Sequence, residues 1–319
     1  MAYAFVGFGL LLLIIGSEAV VRGGVGLSRA FGLSPLLIGL LVVSTGTSTP
    51  ELVISLQGTL HDVPGIAIGN VVGSNIVNIM LILGLAAVLR PIPTSPRIVV
   101  RDGGTLIAAS LALVVLASIG IIGKHSGWLL LAGFAAYVVV CFITDRRRSS
   151  PPAGAERNTR GPTPAMSIIM LIFGLACLFF GGDYVVQGGV TVAHLYNVPP
   201  AVIGLTMVAI GTSLPELATT IAASIRGQTS LAIGNLIGSN IFNLLLVLGV
   251  TASVHPVRVS DTVASADIFV MVGAAVVLPL MLATRWRLTR AQGVFLVMSY
   301  VAYLGYLAWR QGYLPGFSG

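Results

Sequence analysis

A glutamate lies in the middle of an apolar run from about Pro35 to Thr59, inside the stretch Gly46-Thr47-Ser48-Thr49-Pro50-Glu51. The run is long enough to cross a bilayer. A carboxylate at membrane depth is costly and needs a partner, yet no Lys or Arg lies between Phe31 and Leu89. The stretch returns as Gly211-Thr212-Ser213-Leu214-Pro215-Glu216, again in an apolar run with no internal base. Two buried acids without buried bases imply a bound cation or bound protons.

Composition agrees with a membrane setting. The 319 residues are 56% hydrophobic and 8% charged, where a soluble domain carries about 25% charged residues. The mean hydropathy is +0.99. These values predict an all-α integral membrane protein, because helices satisfy their own backbone in lipid. The net charge of +7 is spread over span ends, which argues against nucleic acid as a partner. Arg146-Arg147-Arg148 reads as a topology anchor. Cys141 and Cys177 fall in apolar spans and read as packing residues. The N-terminus lacks a basic n-region, so its apolar run reads as an uncleaved first span.

Ten apolar segments can be drawn, at roughly 3–30, 35–59, 64–89, 103–122, 127–144, 164–194, 199–225, 229–253, 264–284 and 290–310. Pro and Gly mark the joints at Leu33-Ser34-Pro35, Val63-Pro64-Gly65 and Val198-Pro199-Pro200. The Arg-, Ser-, Pro- and Gly-rich stretch 145–163 reads as a solvated linker. It separates two copies of one unit, 1–144 and 164–319. Glu51 and Glu216 stand 165 residues apart, and so do Asn70 and Asn235, Ser74 and Ser239, and Asn78 and Asn243. About 20 positions between Gly39 and Gly84 are identical in the second copy. An odd number of spans per copy inverts one copy relative to the other. The expectation is therefore ten transmembrane helices in two inverted five-helix repeats. Fourteen of the 17 Lys and Arg then fall at joints 1–2, 3–4, 5–6, 7–8 and 9–10; Lys124, Arg258 and Arg310 fall on the other side. By the positive-inside rule the linker is cytoplasmic and both termini face outward across the cell membrane. Inverted repeats typify secondary transporters, whose sites lie at the midplane on interrupted helices.

Pro50 and Pro215 lack an N–H, so the carbonyls of Gly46 and Gly211 lose their helical partners. A hard cation can satisfy freed oxygens of this kind, with Thr, Ser and Glu close by as further donors. A second reading is purely structural: Ser48-x-x-Glu51 and Ser213-x-x-Glu216 fit a capping box with Pro in the first turn. The second motif is Gly69-Asn70-Val71-Val72-Gly73-Ser74-Asn75-Ile76-Val77-Asn78, with a twin at Gly234–Asn243. On a helix Asn70, Ser74 and Asn78 share one face and can complete a cage begun by Glu51. Gly69 and Gly73 form a small-xxx-small pair for close helix approach. Asn75 and Asn240 lie off the stripe and suit helix–helix contact equally well. Glu18 and Asp183, a further pair at the same offset, read as mouth or packing residues. His61, His125, His194 and His255 all fall at segment ends, away from any intramembrane chemistry.

On these motifs the sequence resembles the calcium/cation antiporter superfamily, and most nearly its prokaryotic sodium/calcium exchangers. The resemblance spans nearly the whole chain. It implies a midplane site on spans 2, 3, 7 and 8, with spans 1 and 6 sliding across that core. It implies metal ligands at Thr47, Ser48, Glu51, Ser74, Asn78, Thr212, Ser213, Glu216, Ser239 and Asn243, joined by the backbone carbonyls of Ser44 and Ala209. Many relatives carry Asp where this chain has Asn243, and in potassium-dependent relatives that Asp goes with potassium use. Asn243 thus argues against potassium dependence.

The expected function is sodium/calcium antiport, with calcium and sodium as cargo, no cofactor, the lipid bilayer as surroundings and no obligate protein partner; ten spans can work as a monomer. Proton/calcium exchange through the same cage is the first alternative. An intramembrane enzyme lacks support, since no His lies deep in a span and no HExxH or GxSxG occurs. A channel with the same acids differs only in lacking coupled flux.

Overall fold

In a computed structural model of the chain, residues 2–61, 66–146, 162–196, 209–259 and 266–310 are described. The joints Val63-Pro64-Gly65 and Val198-Pro199-Pro200, most of the 145–163 linker and the first part of the 199–225 segment lie outside them.

The described residues are almost entirely helical, as a chain with so little to offer water must be in lipid. In order the helices are α1 (Ala2–Phe31), α2 (Pro35–Thr47), α3 (Thr49–Leu60), α4 (Ile66–Leu89), α5 (Ile98–Ser118), α6 (Lys124–Arg146), α7 (Pro164–Leu195), α8 (Ala209–Thr212), α9 (Leu214–Ile225), α10 (Thr229–Val254), α11 (Asp267–Arg285) and α12 (Arg290–Arg310). Eight are long and apolar enough to cross a membrane; α2 and α3, bent by 43° at Ser48, make a ninth if counted as one span. Local signals start them where expected. Ser34 and Thr163 each cap a helix that begins with Pro, their side chains accepting from the N–H groups of Leu37 and Met166. Phe8, Ile14, Val115, Leu129, Phe173 and Val301 point outward, an apolar exterior suited to lipid rather than water.

Among the described residues four two-residue strands tie the joints together: β1 (Ile92–Pro93), β2 (Ile121–Ile122), β3 (Val257–Arg258) and β4 (Arg287–Leu288). β1 pairs antiparallel with β4, and β2 with β3.

The helices form two packed bodies. α1 and α7, of 30 and 32 residues, run antiparallel along a glycine seam. A methyl group on Gly9 would lie 2.7 Å from the Gly181 carbonyl, one on Gly16 2.8 Å from that of Gly174, and one on Gly23 2.7 Å from that of Ser167. No side chain larger than hydrogen fits there, so the backbones touch. The other helices share a larger apolar core in which α4 and α10 are central.

Two expectations need correction. The helices are not regular: Ile38–Val43, Val77–Ile82, Ile98–Gly103 and Phe242–Val247 are π-helical. The simple i, i+4, i+8 face drawn through Asn78 therefore changes register at Val77, where each turn takes in an extra residue. The fourth span begins at Ile98, before the expected 103. Arg101 and Asp102 sit inside the helix because they pair at 2.6 Å, and Tyr137 donates to Asp102 at 3.1 Å; a neutralised pair can be buried where a lone charge cannot.

Candidate cation site

Ser48 and Ser213 occupy the two breaks with nearly the same backbone, φ −89°, ψ 8° and φ −91°, ψ 9°. Each precedes a helix with Pro in its first turn. Neither side chain caps that helix, so the capping-box reading fails at its first element. The two serines cross over instead. Ser48 donates from Oγ to Glu216 Oε1 at 2.8 Å, and Ser213 donates to Glu51 Oε1 at 3.4 Å. Ser239 on α10 also donates to Glu216 Oε1, at 3.4 Å. The site is thus built where the two copies meet.

Ser44, Ser48, Glu51, Asn78, Ser213, Glu216, Ser239 and Asn243 are all 0% exposed, and Thr47, Ser74 and Thr212 are buried as well. Of Ala209 the structure describes only the backbone, at the start of α8. Many of the buried polar atoms have no hydrogen-bond partner: Oε2 of Glu51 and of Glu216, Oγ of Ser74, Oγ1 of Thr212, and both amide atoms of Asn78 and Asn243. Leaving such groups unpaired costs about 1–3 kcal/mol each, more when charged. Among the described residues no three of His, Cys, Asp and Glu cluster. The donor set is therefore two carboxylates among hydroxyl and amide oxygens, an all-oxygen environment that suits hard cations and not soft metals.

The sequence-predicted residues separate into groups. The Ser44 carbonyl is engaged, accepting from the Ser48 N–H at 2.9 Å and the Thr47 hydroxyl at 3.4 Å. In the second copy the Ser213 N–H goes to Ile210 instead, at 3.1 Å. Asn75 and Asn240 turn back onto their own helix, each donating at 2.7 Å to the carbonyl four residues earlier. Asn70 supports the site without reaching either carboxylate: it donates to the Glu51 carbonyl at 2.9 Å and to Ser55 Oγ at 2.8 Å. Asn235 donates to Thr220 at 3.2 Å and accepts from Thr47 at 3.3 Å. Ser55 and Thr220 were missed in the sequence. The signal was present, since both are hydroxyls four residues after the glutamate, at the 165-residue offset.

Close approach of the copies depends on glycine. A methyl group on Gly39 would lie 2.6 Å from the Leu231 carbonyl, and one on Gly234 2.5 Å from that of Leu36. At Gly69 and Gly73 a methyl would meet nothing among the described residues. The break glycines Gly46 and Gly211 face Leu175 and Val186 of α7. α7 thus touches both breaks directly.

Outside the site, Glu18 pairs with both Arg22 and Arg226, and Asp183 accepts from Gln187 at 2.7 Å. Cys141 and Cys177 are free and buried.

Residues 1–143 and 166–309 match the family described as sodium/calcium exchanger protein. The chain belongs to that family. It is 34% identical over 321 residues to the inner membrane protein YrbG of Escherichia coli, covering 97% of each chain. It is 33% identical over 337 residues to the sodium/calcium exchanger MaX1 of Methanosarcina acetivorans, covering 93% of this chain and 95% of that one. Its fold matches the sodium-calcium exchanger NCX_Mj soaked with sodium and strontium, with a TM-score of 0.82, 30% identity and coverage of 95% and 97%. This exchanger-family chain is a multispanning membrane protein of the calcium/cation antiporter superfamily, and its relatives are transporters rather than enzymes.

Proposed function

We propose that the chain exchanges sodium for calcium at one site between α2–α3, α4, α8–α9 and α10. The observation that carries this reading is the buried pair Glu51 and Glu216, each with an unpartnered Oε2, beside helices on which Ser74, Asn78, Thr212 and Asn243 also hold unpartnered hydroxyl or amide atoms. The ligands are Thr47, Ser48, Glu51, Ser74, Asn78 and their twins Thr212, Ser213, Glu216, Ser239 and Asn243, with the carbonyls of Ser44 and Ala209. More oxygens are present than the six to eight one calcium takes, so the two cargoes can share them in part. The ions come from the relatives, which are named sodium/calcium exchangers.

Two carboxylates neutralise one calcium. Without a cation they repel in low dielectric, and the doubly charged site crosses poorly. That cost enforces exchange over leak. Asn243 leaves the site two formal charges and removes the acid that accompanies potassium use.

The ten-span, two-repeat architecture belongs to this proposal, with the repeats at 1–144 and 164–319. Strand pairing supports it. β1 and β4 touch, so they lie at one membrane face and need an even number of crossings between them. Five described spans intervene: α5, α6, α7, α10 and α11. The segment holding α8 and α9 supplies the sixth. The number is again even, four, between β2 and β3, which are separated by α6, α7, the segment of α8 and α9, and α10. Both termini then share a face, the outer one by the distribution of arginines. The seamed pair α1 and α7 slides across the inner helices to alternate access, and a single chain carries the whole site.

The test is radioactive calcium uptake into liposomes holding the purified protein. Uptake with internal sodium, absent with internal potassium and lost in Glu51→Gln, is the expected result. Uptake driven instead by acid-loaded vesicles moves the coupling to protons. No gradient-driven uptake with folded protein overturns calcium transport.

A further inference from the structure

Away from the cation site, a cavity of about 330 Å³ opens between the C-terminal half of α1, the start of α7 and the turn joining α9 to α10. Arg22, Arg29 and Arg226 line it, with Gln228. A fourth arginine, Arg90, lies against the same turn, its Nη1 3.0 Å from where a methyl group on Gly227 would be. The acid in contact is Glu18, which is shared between Arg22 and Arg226. Among the described residues Arg29 has no ion-pair partner. Three guanidinium groups and one carboxylate leave the cavity with a net positive charge. Guanidinium groups match phosphate oxygens in bidentate geometry.

A second cavity, of about 540 Å³, meets the first at Arg226. It is a groove between α1 and α9, walled by apolar side chains such as Leu10, Ile14, Leu217 and Ile221. From Leu214 to Arg226 it follows α9 for about 18 Å at 1.5 Å per residue, close to the half-thickness of a bilayer core, about 15 Å. A cationic head joined to an apolar groove of that length has the shape and polarity of one lipid class.

We propose that an anionic phospholipid seats here, its phosphate among Arg22, Arg29 and Arg226 and one acyl chain along the groove between α1 and α9. Basic pockets between spans hold anionic head groups in this way. Arg22 and Arg29 belong to the α1–α7 pair, whereas Arg226 belongs to the inner helices. The lipid therefore bridges the two bodies, and its phosphate competes with Glu18 for Arg22 and Arg226. This site is separate from the cation site and is tested by binding, without transport.

The experiment uses the delipidated full-length protein in a neutral detergent. Binding and thermal unfolding are followed with phosphatidylglycerol, phosphatidylcholine and inorganic phosphate as probes. Phosphatidylglycerol is expected to raise the Tm and to remain bound in native mass spectrometry, while phosphatidylcholine does neither. Arg29→Ala, which breaks no ion pair, is expected to weaken phosphatidylglycerol binding at least about tenfold. Ala218→Phe, which fills the groove, is expected to weaken it comparably. Equal binding of the two lipids overturns the proposal, as does unchanged binding in both folded variants. Inorganic phosphate matching phosphatidylglycerol in Tm shift, with Ala218→Phe silent, also overturns it by reducing the site to a plain anion pocket.

Discussion

Glu51 and Glu216 stand in matching sequence, yet their surroundings differ. Glu216 Oε1 accepts the hydroxyl of Ser48 at 2.8 Å and that of Ser239 at 3.4 Å. Glu51 Oε1 accepts the Ser213 hydroxyl at 3.4 Å, while Ser74, the twin of Ser239, has a hydroxyl with no partner. The supporting asparagines differ too: Asn70 donates to the Glu51 carbonyl and Ser55, whereas Asn235 links Thr220 to Thr47. Two copies of one motif thus take unequal hydrogen-bonding states, because each meets the other from its own side. Glu51 is the less satisfied carboxylate.

The comparison can be broken most sharply at the carboxylates. Glu51→Gln and Glu216→Gln are each expected to weaken calcium binding by about 3 kcal/mol, or more than about 100-fold, as measured by equilibrium calcium binding to the purified protein. A variant that retains near-native affinity would reduce the site to one working acid. Acid should act in the same direction. Each proton taken by either glutamate removes ligand charge, so apparent calcium affinity should fall by up to about tenfold per pH unit for each competing proton. A flat profile of calcium affinity against pH would contradict a site built on these two acids.

The serines sharpen the asymmetry. Ser48→Ala removes the shorter hydrogen bond to a carboxylate, with an expected loss of about 1.5–3 kcal/mol, roughly tenfold or more in affinity. Ser213→Ala removes the 3.4 Å contact and should cost less. Equal losses would show that both carboxylates are held alike during transport. The asparagines give the smallest effect. Asn70→Ala, which loses two bonds shorter than 3 Å, should lower stability by about 1–3 kcal/mol in thermal unfolding, and Asn235→Ala by less.

Much of the chain could be read before folding because lipid leaves so few options. The apolar segments ended close to the observed helices, as α1, α7, α10 and α12 show, since backbone satisfaction in lipid demands helix wherever the run is long enough. The break at Ser48 followed from Pro50. The start of α5 did not, because a pattern of charges cannot show that Arg101 and Asp102 neutralise each other inside a helix. The π-helical turns at Asn78 and Asn243 were equally hidden, being packing responses with no residue signature.

By itself the sequence determined that two acids lie in apolar spans without bases, that they recur 165 residues apart, and that oxygen-bearing side chains surround them. These are properties of composition and spacing, and folding does not change them. Only the tertiary structure decided that each break serine serves the opposite glutamate, that Gly39 and Gly234 let the two copies touch, and that Arg22 and Arg29 of α1 meet Arg226 beyond α9 at the head of one apolar groove. Such contacts join residues far apart in the chain, and they depend on helix rotation and crossing, which are set by packing across the whole bundle.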